Sequence, residues 1–455
     1  MTTRNAQIDQ YIEDNLDRYI DELVELCRQP SISARHEGIN ECAALVADLL
    51  RRHGFEAEVM ASEGHPVVYG YAEGESPRTI LCYNHYDVQP PEPLELWTTP
   101  PFEPSLRDGK LYARGVVDDK GEIIARLAAL DAIRSVNGGK LPCTIKFAIE
   151  GEEEVGSPYV AGFVRDHTDL LAADASIWEG GGVSPEGRPG LALGYRGVLG
   201  VELFVETMTR DAHSGGAHVF PNAGWRLVRL LEALKDENEH IKITGFYDNV
   251  RPPSALDMEL LAEQPTHEEM LRDLFGIKEF VLGRTGMALK EAVFQPTCNI
   301  QGITTGYQQA GMKTVIPAKA SVKLDFRLVP DQEPDEIFAK LRAYLDEIGF
   351  ADVEIARYGS MSPSKAEPDD PFVQLTIRTG EDVYGLPAQV TTLGGGSTPV
   401  YAFAGPLGNI PVVSAGIGYW DSRGHAPDEN IRIEDFVTGT RHIARIIDGF
   451  SGLFE

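Results

Sequence analysis

The chain has 455 residues, which is more than one hydrophobic core usually supports, so two domains are expected. Its 41 basic and 70 acidic residues give a formal net charge of −29, and such a field repels nucleic acids and anionic membranes. We therefore expect neither as a partner. Apolar residues make up 42% of the chain, and the longest apolar runs are too short to span a bilayer.

The cysteines and the N-terminal segment both favour a cytoplasmic location. The five cysteines are an odd number without CxxC spacing, which predicts buried free thiols in a reducing compartment. They are Cys27, Cys42, Cys82, Cys143 and Cys298. The first residues, Met1-Thr-Thr-Arg-Asn-Ala-Gln, pass directly into an amphipathic pattern and lack the apolar region of a secretory signal.

Helix and strand patterns alternate through the N-terminal part of the chain. Apolar residues from Ile8 to Leu26 recur at three- and four-residue steps, which predicts one helix that Pro30 closes. Further helices are predicted at about 40–53 and 120–135, and strands at 56–60, 67–71, 79–83 and 144–149. This alternation predicts an α/β domain whose sheet is covered on both faces.

The pattern changes near residues 194–200 and changes back after the polar stretch 359–370. Between them, strands are predicted at 201–207, 315–329 and 353–357, and helices at about 223–234 and 335–348. Such a set predicts a small α+β, ferredoxin-like unit with helices on one face. The alternation of helix and strand patterns then resumes, with helices predicted at 372–384 and 433–450 and strands at 389–392 and 411–414.

We therefore predict a discontinuous catalytic domain with a central mixed sheet flanked by helices, interrupted by a smaller inserted domain. The catalytic domain would contain residues 1–195 and 362–455, and the inserted domain residues 196–361.

Acidic and histidine side chains are concentrated in five short segments that end predicted strands or open predicted helices. They are His85-Tyr86-Asp87, Asp118-Asp119-Lys120-Gly121, Glu152-Glu153-Glu154, Glu179 and Gly424-His425-Ala426. The carboxyl ends of strands are where α/β sheets place their sites. Imidazoles mixed with carboxylates suit Zn²⁺, Mn²⁺ or Co²⁺, and a carboxylate can bridge two such ions.

Each segment also has a structural explanation. His85 could be a satisfied polar residue at a strand end, the aspartate pair could cap a helix, and the glutamate run could be a solvated loop. However, that run leaves an apolar strand directly, and three adjacent carboxylates repel one another unless cations neutralise them. Combined, the segments supply two ion sites that share one carboxylate: His85, Asp118 and Glu179, and Asp118, Glu154 and His425.

The order of these segments makes the chain resemble, along nearly its whole length, the two-metal aminoacylase, carboxypeptidase and carnosine-dipeptidase family of amidohydrolases. The matching segments are His85-Tyr-Asp-Val-Gln-Pro90, Gly115-Val-Val-Asp-Asp-Lys-Gly121, Glu150-Gly-Glu-Glu-Glu-Val-Gly156, Lys313-Thr-Val-Ile-Pro317, Arg327-Leu-Val-Pro330 and Gly424-His-Ala. Three of them, Asp-Asp-Lys-Gly, Thr-Val-Ile-Pro and Arg-Leu-Val-Pro, are closest to the dipeptidase branch. Glu179, by contrast, stands where the dipeptidase branch usually has Asp, whereas Glu at this place is commoner among aminoacylase- and carboxypeptidase-like members.

The resemblance implies a role for each candidate residue. The implied metal ligands are His85, Asp118, Glu154, Glu179 and His425, with Asp118 bridging two ions. The implied catalytic residues are Glu153 as general base and then acid, Asp87 as the residue that steadies His85, and His213 as an oxyanion donor. The inserted domain would be a lid through which two subunits dimerise, and His213 would reach the other subunit's active site.

The resemblance also implies that Thr314, Arg327 and Ser397 hold the substrate's carboxylate and backbone. A guanidinium binds a carboxylate through two parallel hydrogen bonds, although Arg327 could instead form a surface ion pair. The expected reaction is therefore hydrolysis of the amide bond of a dipeptide or a similar small substrate with a free carboxylate. The expected cofactors are two divalent ions, Zn²⁺ before Mn²⁺ or Co²⁺.

Three alternatives remain open at this stage. The enzyme could remove an acyl or carbamoyl group from an N-substituted amino acid. A non-catalytic relative could use the same fold to bind a peptide, although a pure binder does not need the ligand set and the base. A metallophosphatase also uses paired ions, but no Gly-rich phosphate cradle is present in the sequence.

Overall fold

The structure, a computed structural model, describes residues 3–454, so Met1, Thr2 and Glu455 of the predicted catalytic domain lie outside the described residues. The chain divides into two compact units. The first contains the described residues up to Gly194, Lys365–Thr392 and the residues from Pro399 onward. The second contains Tyr195–Ser364 and Leu393–Thr398.

Fourteen α-helices lie within residues 3–454. They are α1 (Thr3–Asp14), α2 (Leu16–Arg28), α3 (Ile39–Arg52), α4 (Lys120–Val136), α5 (Val160–Asp166), α6 (Thr168–Leu171), α7 (Ala223–Leu234), α8 (Ala255–Glu263), α9 (Glu268–Phe275), α10 (Gly286–Glu291), α11 (Pro334–Glu347), α12 (Pro371–Tyr384), α13 (Val400–Ala404) and α14 (Ile433–Phe450). None of these helices combines the length and the apolar character needed to cross a membrane.

The strands of the same residues are mostly short. They are β1 (Glu56–Met60), β2 (Val67–Ala72), β3 (Gly74–His85), β4 (Ser105–Arg107), β5 (Lys110–Tyr112), β6 (Leu141–Glu150), β7 (Ala175–Trp178), β8 (Gly182–Val183), β9 (Pro189–Ala192), β10 (Gly194–Tyr195), β11 (Gly197–Glu206), β12 (Ala212–His213), β13 (Thr297–Thr305), β14 (Val315–Ile316), β15 (Lys319–Leu328), β16 (Glu354–Met361), β17 (Ser364–Lys365), β18 (Gln389–Thr391), β19 (Val412–Ser414), β20 (Gly418–Tyr419) and β21 (Asn430–Arg432).

A six-stranded mixed sheet forms the centre of the first unit, in the order β1-β2-β6-β3-β7-β19. Strands β6, β3, β7 and β19 run parallel, whereas β1 and β2 are antiparallel to their neighbours. The carboxyl ends of the parallel strands therefore meet at one edge of the sheet. His85 ends β3, Glu150 ends β6 and Trp178 ends β7, so this edge is where the predicted site segments begin.

Helices cover both faces of this sheet. Successive side chains of a strand point to opposite faces, so the neighbouring residues Asn84 and Tyr83 contact different helices. On one face, Asn84 accepts a hydrogen bond from Arg126 of α4. On the other face, the ring of Tyr83 stacks on Trp178 at 3.6 Å and meets Phe403 of α13 edge-on. The predicted α/β fold with a mixed sheet flanked by helices is confirmed.

Two smaller sheets complete the first unit. One has the order β18-β9-β8-β20, with parallel pairs at both ends and an antiparallel pair in the middle. The other, β21-β5-β4, is antiparallel and places the turn before β21 next to the segment that leads into α4. This neighbourhood brings His425 towards Asp118.

The second unit has a ferredoxin-like core, which confirms the predicted α+β class. Its sheet has the order β13-β15-β11-β16 with antiparallel neighbours, and the chain runs through it as β11, α7, β13, β15, α11 and β16. Helices α7 and α11 pack on the sheet through buried residues such as Leu230 and Leu341. Helices α8, α9 and α10, which were not predicted, lie between α7 and β13.

Two predicted elements are each divided in the structure. The single helix predicted from Ile8 is wrong, because Asn15 separates α1 from α2. The side chain of Asn15 donates to the carbonyl of Tyr11 at 2.8 Å and so competes with the helical backbone pattern. The strand predicted at 315–329 is likewise two strands, since Pro317 lacks the N–H that a sheet ladder needs.

Candidate metal centre

His85 lies buried at the carboxyl end of β3. Its Nδ1 is 3.0 Å from the main-chain oxygen of Asp87 and 3.4 Å from the Asp87 carboxylate. Because both partners are acceptors, the proton of a neutral His85 ring lies on Nδ1, and the lone pair of Nε2 is left free. That nitrogen is 3.0 Å from Asp118 Oδ1 and 3.3 Å from Glu179 Oε2. A lone pair aimed at two carboxylates calls for a cation between them.

Asp118 is shared between two histidines. Its Oδ1 faces His85, while its Oδ2 lies 2.8 Å from Nε2 of His425. The same His425 nitrogen is 3.1 Å from Glu154 Oε2. One carboxylate with an imidazole and a further carboxylate on each side is the arrangement that a bridged pair of divalent ions requires.

Asp87 joins the first histidine to the glutamate run. Its buried carboxylate accepts hydrogen bonds from the backbone N–H groups of Glu153, at 3.2 Å, and Glu154, at 3.1 Å. These residues begin a short 3₁₀ turn directly after β6. The turn and His85 are therefore fixed to each other through one side chain.

The pKa values at the centre reflect the crowding of carboxylates. Burial is the largest cause that raises the pKa of Glu153 to about 7. The charge of His85 acts against this rise, and the carboxylate of Glu154 adds to it. Hydrogen bonds to Asp118 and Glu154 raise the pKa of His425 to about 10. Raised pKa values of both carboxyl and imidazole groups indicate an excess of negative charge at the centre. Divalent cations would relieve this excess.

The donor atoms also fit a metal pair directly. Glu179 Oε2 is buried without a hydrogen-bond partner among the described residues, and burial raises the pKa of this carboxyl well above its ordinary value. Two groups of side chains have donor atoms close enough to hold an ion: His85 with Asp118 and Glu154, and His85 with Asp119 and Glu179. Asp119 was not predicted as a ligand, and its Oδ2 already accepts from Asn84 Nδ2 and the His85 N–H.

One buried residue with a clear part in this geometry was not singled out from the sequence. Glu429, fully buried, accepts hydrogen bonds from Gly115 N–H at 3.0 Å, Val117 N–H at 3.0 Å and Asp118 N–H at 3.2 Å. It also accepts from Arg114 Nη1 at 2.7 Å. Its carboxylate thus fixes the backbone that carries the shared aspartate, and its closeness to His425 in sequence was the only available signal.

The remaining candidate residues lie in the second unit and form two pairs there. His213 Nδ1 accepts from the N–H of Gly215 at 3.0 Å, and its Nε2 is 3.3 Å from Thr314 Oγ1. Arg327 Nη1 donates to Ser397 Oγ at 2.9 Å. Ser397 belongs to the segment Leu393–Thr398, which joins the second unit although its neighbours in sequence belong to the first.

Known proteins are similar to this chain over most of its length. Beta-Ala-His dipeptidase of Mus musculus is 26% identical over 466 residues, which cover 95% of this chain and 93% of the relative. The cysteinylglycine-S-conjugate dipeptidase of Corynebacterium striatum is 30% identical over 334 residues, 72% of this chain and 70% of the relative. A solved structure, an M20 family metallo-carboxypeptidase from Sulfolobus solfataricus, is 36% identical with a TM-score of 0.85 and covers 95% of this chain and 99% of that one.

These relatives confirm the predicted family resemblance and the predicted class, a metal-dependent hydrolase that acts on peptide bonds. Residues 81–449, which form most of the chain, match the model of peptidase family M20/M25/M40, and the chain belongs to that family.

Proposed function

We propose that the protein hydrolyses the amide bond of dipeptides or similar small substrates with a free carboxylate, with two divalent ions, Zn²⁺ before Mn²⁺ or Co²⁺. The observation that carries this proposal is the position of Asp118, whose two carboxylate oxygens face different histidines. Two of the similar proteins are named dipeptidases, which supports a small peptide as substrate.

The proposed ligands are His85, Asp118, Glu154, Glu179 and His425, with Asp118 shared. Bound ions would polarise the scissile carbonyl and make a water acidic enough to lose a proton near neutral pH. Asp87 keeps the His85 ring in orientation through its Nδ1 side.

Glu153 is the proposed general base. It lines the cavity at the metal centre, its backbone is held by Asp87, and burial is the largest cause that raises the pKa of its carboxyl. A carboxylate in this position can accept a proton from water and return it to the departing amine nitrogen. The adjacent Glu154 has the different role of ligand.

The second unit offers two groups for the substrate. Because Nδ1 of His213 accepts a backbone N–H, the proton of the neutral ring lies on Nε2, where it can be donated to a developing oxyanion. Thr314 holds that nitrogen in place at 3.3 Å. Arg327, whose side chain is 36% exposed, retains free donors for a substrate carboxylate beside Ser397.

The first test is Glu153→Gln. We expect kcat to fall by about 10²- to 10⁴-fold, because the amide cannot accept the proton, while the bound metal measured by elemental analysis stays the same. Glu152→Gln, a change to the adjacent carboxyl that has no proposed role, should keep kcat within about twofold. Normal turnover in Glu153→Gln would show that another group is the base.

The substrate class is tested with one panel on the metal-loaded enzyme. Dipeptides are compared with N-acetyl and N-carbamoyl amino acids by kcat/KM. We expect the dipeptides to be preferred. A preference for the substituted amino acids would instead assign the protein to the deacylases, the alternative that Glu179 favours. Metal binding without turnover of any of them would favour a peptide-binding protein.

We further propose a homodimer formed through the second unit. Strand β13 is at the edge of its sheet, and Ile300 and Ile303 on it are 47% and 49% exposed. An edge strand with exposed apolar side chains is a surface that other chains cover. Light scattering should give a dimer mass for the protein and a monomer mass for Ile303→Lys, whereas Leu106→Lys, a change to an exposed leucine of the first unit, should leave the dimer intact.

A cytoplasmic location remains our proposal. All five cysteines are buried free thiols, which is typical of a protein that works in a reducing compartment.

A further inference from the structure

A groove in the first unit opens directly from the metal centre. Its volume is about 650 Å³, within the range of about 300–1,000 Å³ that is typical of small-molecule sites. Asp118, Glu153, Glu179 and His425 line it at the end where the ions are proposed to bind. The sheet β18-β9-β8-β20 and the turn after β20 supply the rest of its wall.

Three glycines connect the metal centre to this wall. Gly180, Gly181 and Gly182 follow Glu179, and each has a positive φ. A side chain at Gly182 would collide with the backbone of Gly418, at 2.0 Å from its carbonyl oxygen. Glycine at these positions lets the chain lie directly against the segment that leads into β20, and the three glycines themselves line the groove between the metal centre and the wall.

The charges of the lining are all at one end. Apart from the carboxylates and the histidine of the centre, the only charged residue among the described ones that line it is Glu122, which is buried in an ion pair with Arg126. Beyond the glycines the side chains are uncharged: Val183, Ser184, Pro185, Leu191, Ala192 and Trp420. Trp420 is 66% exposed, so its ring is available for contact.

This distribution selects which part of a substrate can enter. Among the described residues, no lysine or arginine lines the groove, while several carboxylates do. Beyond the glycines these lining residues offer no cation to pair with a free carboxylate, and burying an unpaired charge is costly. The uncharged, largely apolar walls beyond the glycines favour an uncharged apolar group, because a charged group would lose its hydration there without a partner. Since the substrate's free carboxylate is on the residue that supplies the amine, we place this apolar group on the residue that supplies the carbonyl.

We propose that this groove receives a large apolar side chain on the carbonyl side of the scissile bond, so that the enzyme favours dipeptides that begin with Phe, Trp or Leu. The inference rests on the proposed function and adds its substrate class. Trp420 and Ala192 are specificity-determining residues in it. The ring of Trp420 provides an aromatic wall, and the small Ala192 leaves space that a larger side chain would fill.

The test uses the metal-loaded enzyme and the pair Phe-Ala and Gly-Ala. We expect kcat/KM for Phe-Ala to exceed that for Gly-Ala by about tenfold or more. Trp420→Ala and Ala192→Phe should each lower this ratio about fivefold or more, by loss of contact and by obstruction respectively. Leu96→Ala, a change to a similarly exposed apolar residue outside the groove, should keep the ratio of the unmodified enzyme.

A preference for Gly-Ala, or a ratio that neither groove variant changes, would overturn the inference. Its failure is distinguishable from failure of the proposed function, since the latter would appear as no hydrolysis of either dipeptide. In that case calorimetry on the metal-loaded protein itself compares the binding of the two dipeptides. Tighter binding of Phe-Ala that Trp420→Ala removes would uphold the groove assignment, and equal binding would reject it.

Discussion

The buried carboxylate of Glu429 supports Asp118, one of the proposed metal ligands. Its oxygens accept four hydrogen bonds from Arg114 and from the backbone before α4, although this residue lies 311 positions from Asp118. Since the same loop carries His425, the side chain links the two segments that must face a shared ion. Outer partners of this kind tune metal affinity by orienting the ligands.

Glu429→Gln should therefore weaken metal binding. The amide has one oxygen acceptor and one N–H₂ donor group, so some of the backbone N–H groups would lose their acceptor and the Asp118 loop would shift. We expect metal affinity to fall about 10- to 100-fold, measured by competition with a chelating dye. Excess metal should restore most of kcat, a recovery that a merely misfolded variant would not show.

The matched control is Glu434→Gln, since the Glu434 side chain is 74% exposed and is close in sequence. Metal affinity that is equal in both variants and in the unmodified enzyme would remove Glu429 from the support of the site.

That the proposed ligands lie close together could be predicted from sequence, because each follows a strand or begins a helix in a recognisable segment. His85, Asp118 and Glu154 were all placed in one centre by such reasoning, and the structure brings them together. Glu429 could not be predicted in this way. Nothing in its local sequence indicates that a carboxylate is buried against the backbone of a distant loop.

At the scale of elements, one histidine ties three helices together. His53, which follows α3, has its Nδ1 2.9 Å from Asp131 of α4 and its Nε2 3.1 Å from Glu22 of α2. Burial lowers the pKa of this histidine, but its hydrogen bonds and the two carboxylate charges outweigh burial and raise the pKa to about 9. The helices are thus joined by a protonated imidazole.

This linkage predicts a defined pH dependence of stability. The folded protein keeps the His53 proton up to about pH 9, whereas the unfolded chain loses it near the ordinary value of 6.5. The stabilisation is therefore complete below pH 6.5 and is lost as pH rises towards 9, by about 3 kcal/mol for a shift of this size. Denaturant unfolding of the protein and of His53→Gln at several pH values measures it.

The difference in unfolding free energy between the two proteins should shrink as pH rises. A difference that stays constant from acidic to alkaline pH would mean that His53 contributes by packing alone.

Among the described helices, those of 12 residues or more could be predicted from periodicity, although α1 and α2 were predicted as one helix. The misses have local causes. Helix α7 was predicted at its observed limits, because its apolar residues recur on one face. The break at Asn15 was missed because the side-chain bond that makes it competes with a pattern that continues on both sides. Helices α8 to α10 were missed because they are short, with six to nine residues each, so a helical period has few turns in which to appear.

At the scale of the whole molecule, negative charge is concentrated where cations are proposed to bind. The chain has a formal charge of −29, and the centre alone gathers Asp118, Glu153, Glu154 and Glu179 around two histidines. Two divalent ions bound to the folded chain would stabilise it by mass action, and their removal would restore the repulsion between the carboxylates of the centre.

Chelation should therefore destabilise one unit and spare the other. After treatment with a chelator, we expect activity to be lost and hydrogen exchange to increase around His85, Asp118 and His425. Helices α7 and α11, whose core belongs to the second unit, should exchange as before. Return of Zn²⁺ should reverse both effects, while uniform loosening of both units would contradict a metal effect confined to the first.

The segment Leu393–Thr398 determines how the second unit can be prepared as a fragment or exchanged for that of a homologue. The polypeptide passes between the two units four times, at residues 194–195, 364–365, 392–393 and 398–399. A fragment of residues 195–364 would lack Leu393, which packs with Leu261 and Phe294, and Ser397, which accepts from Arg327. Exchange of this unit with that of a homologue thus needs two separate stretches of gene, and a single-insert chimera would lose the contacts of Leu393 and Ser397.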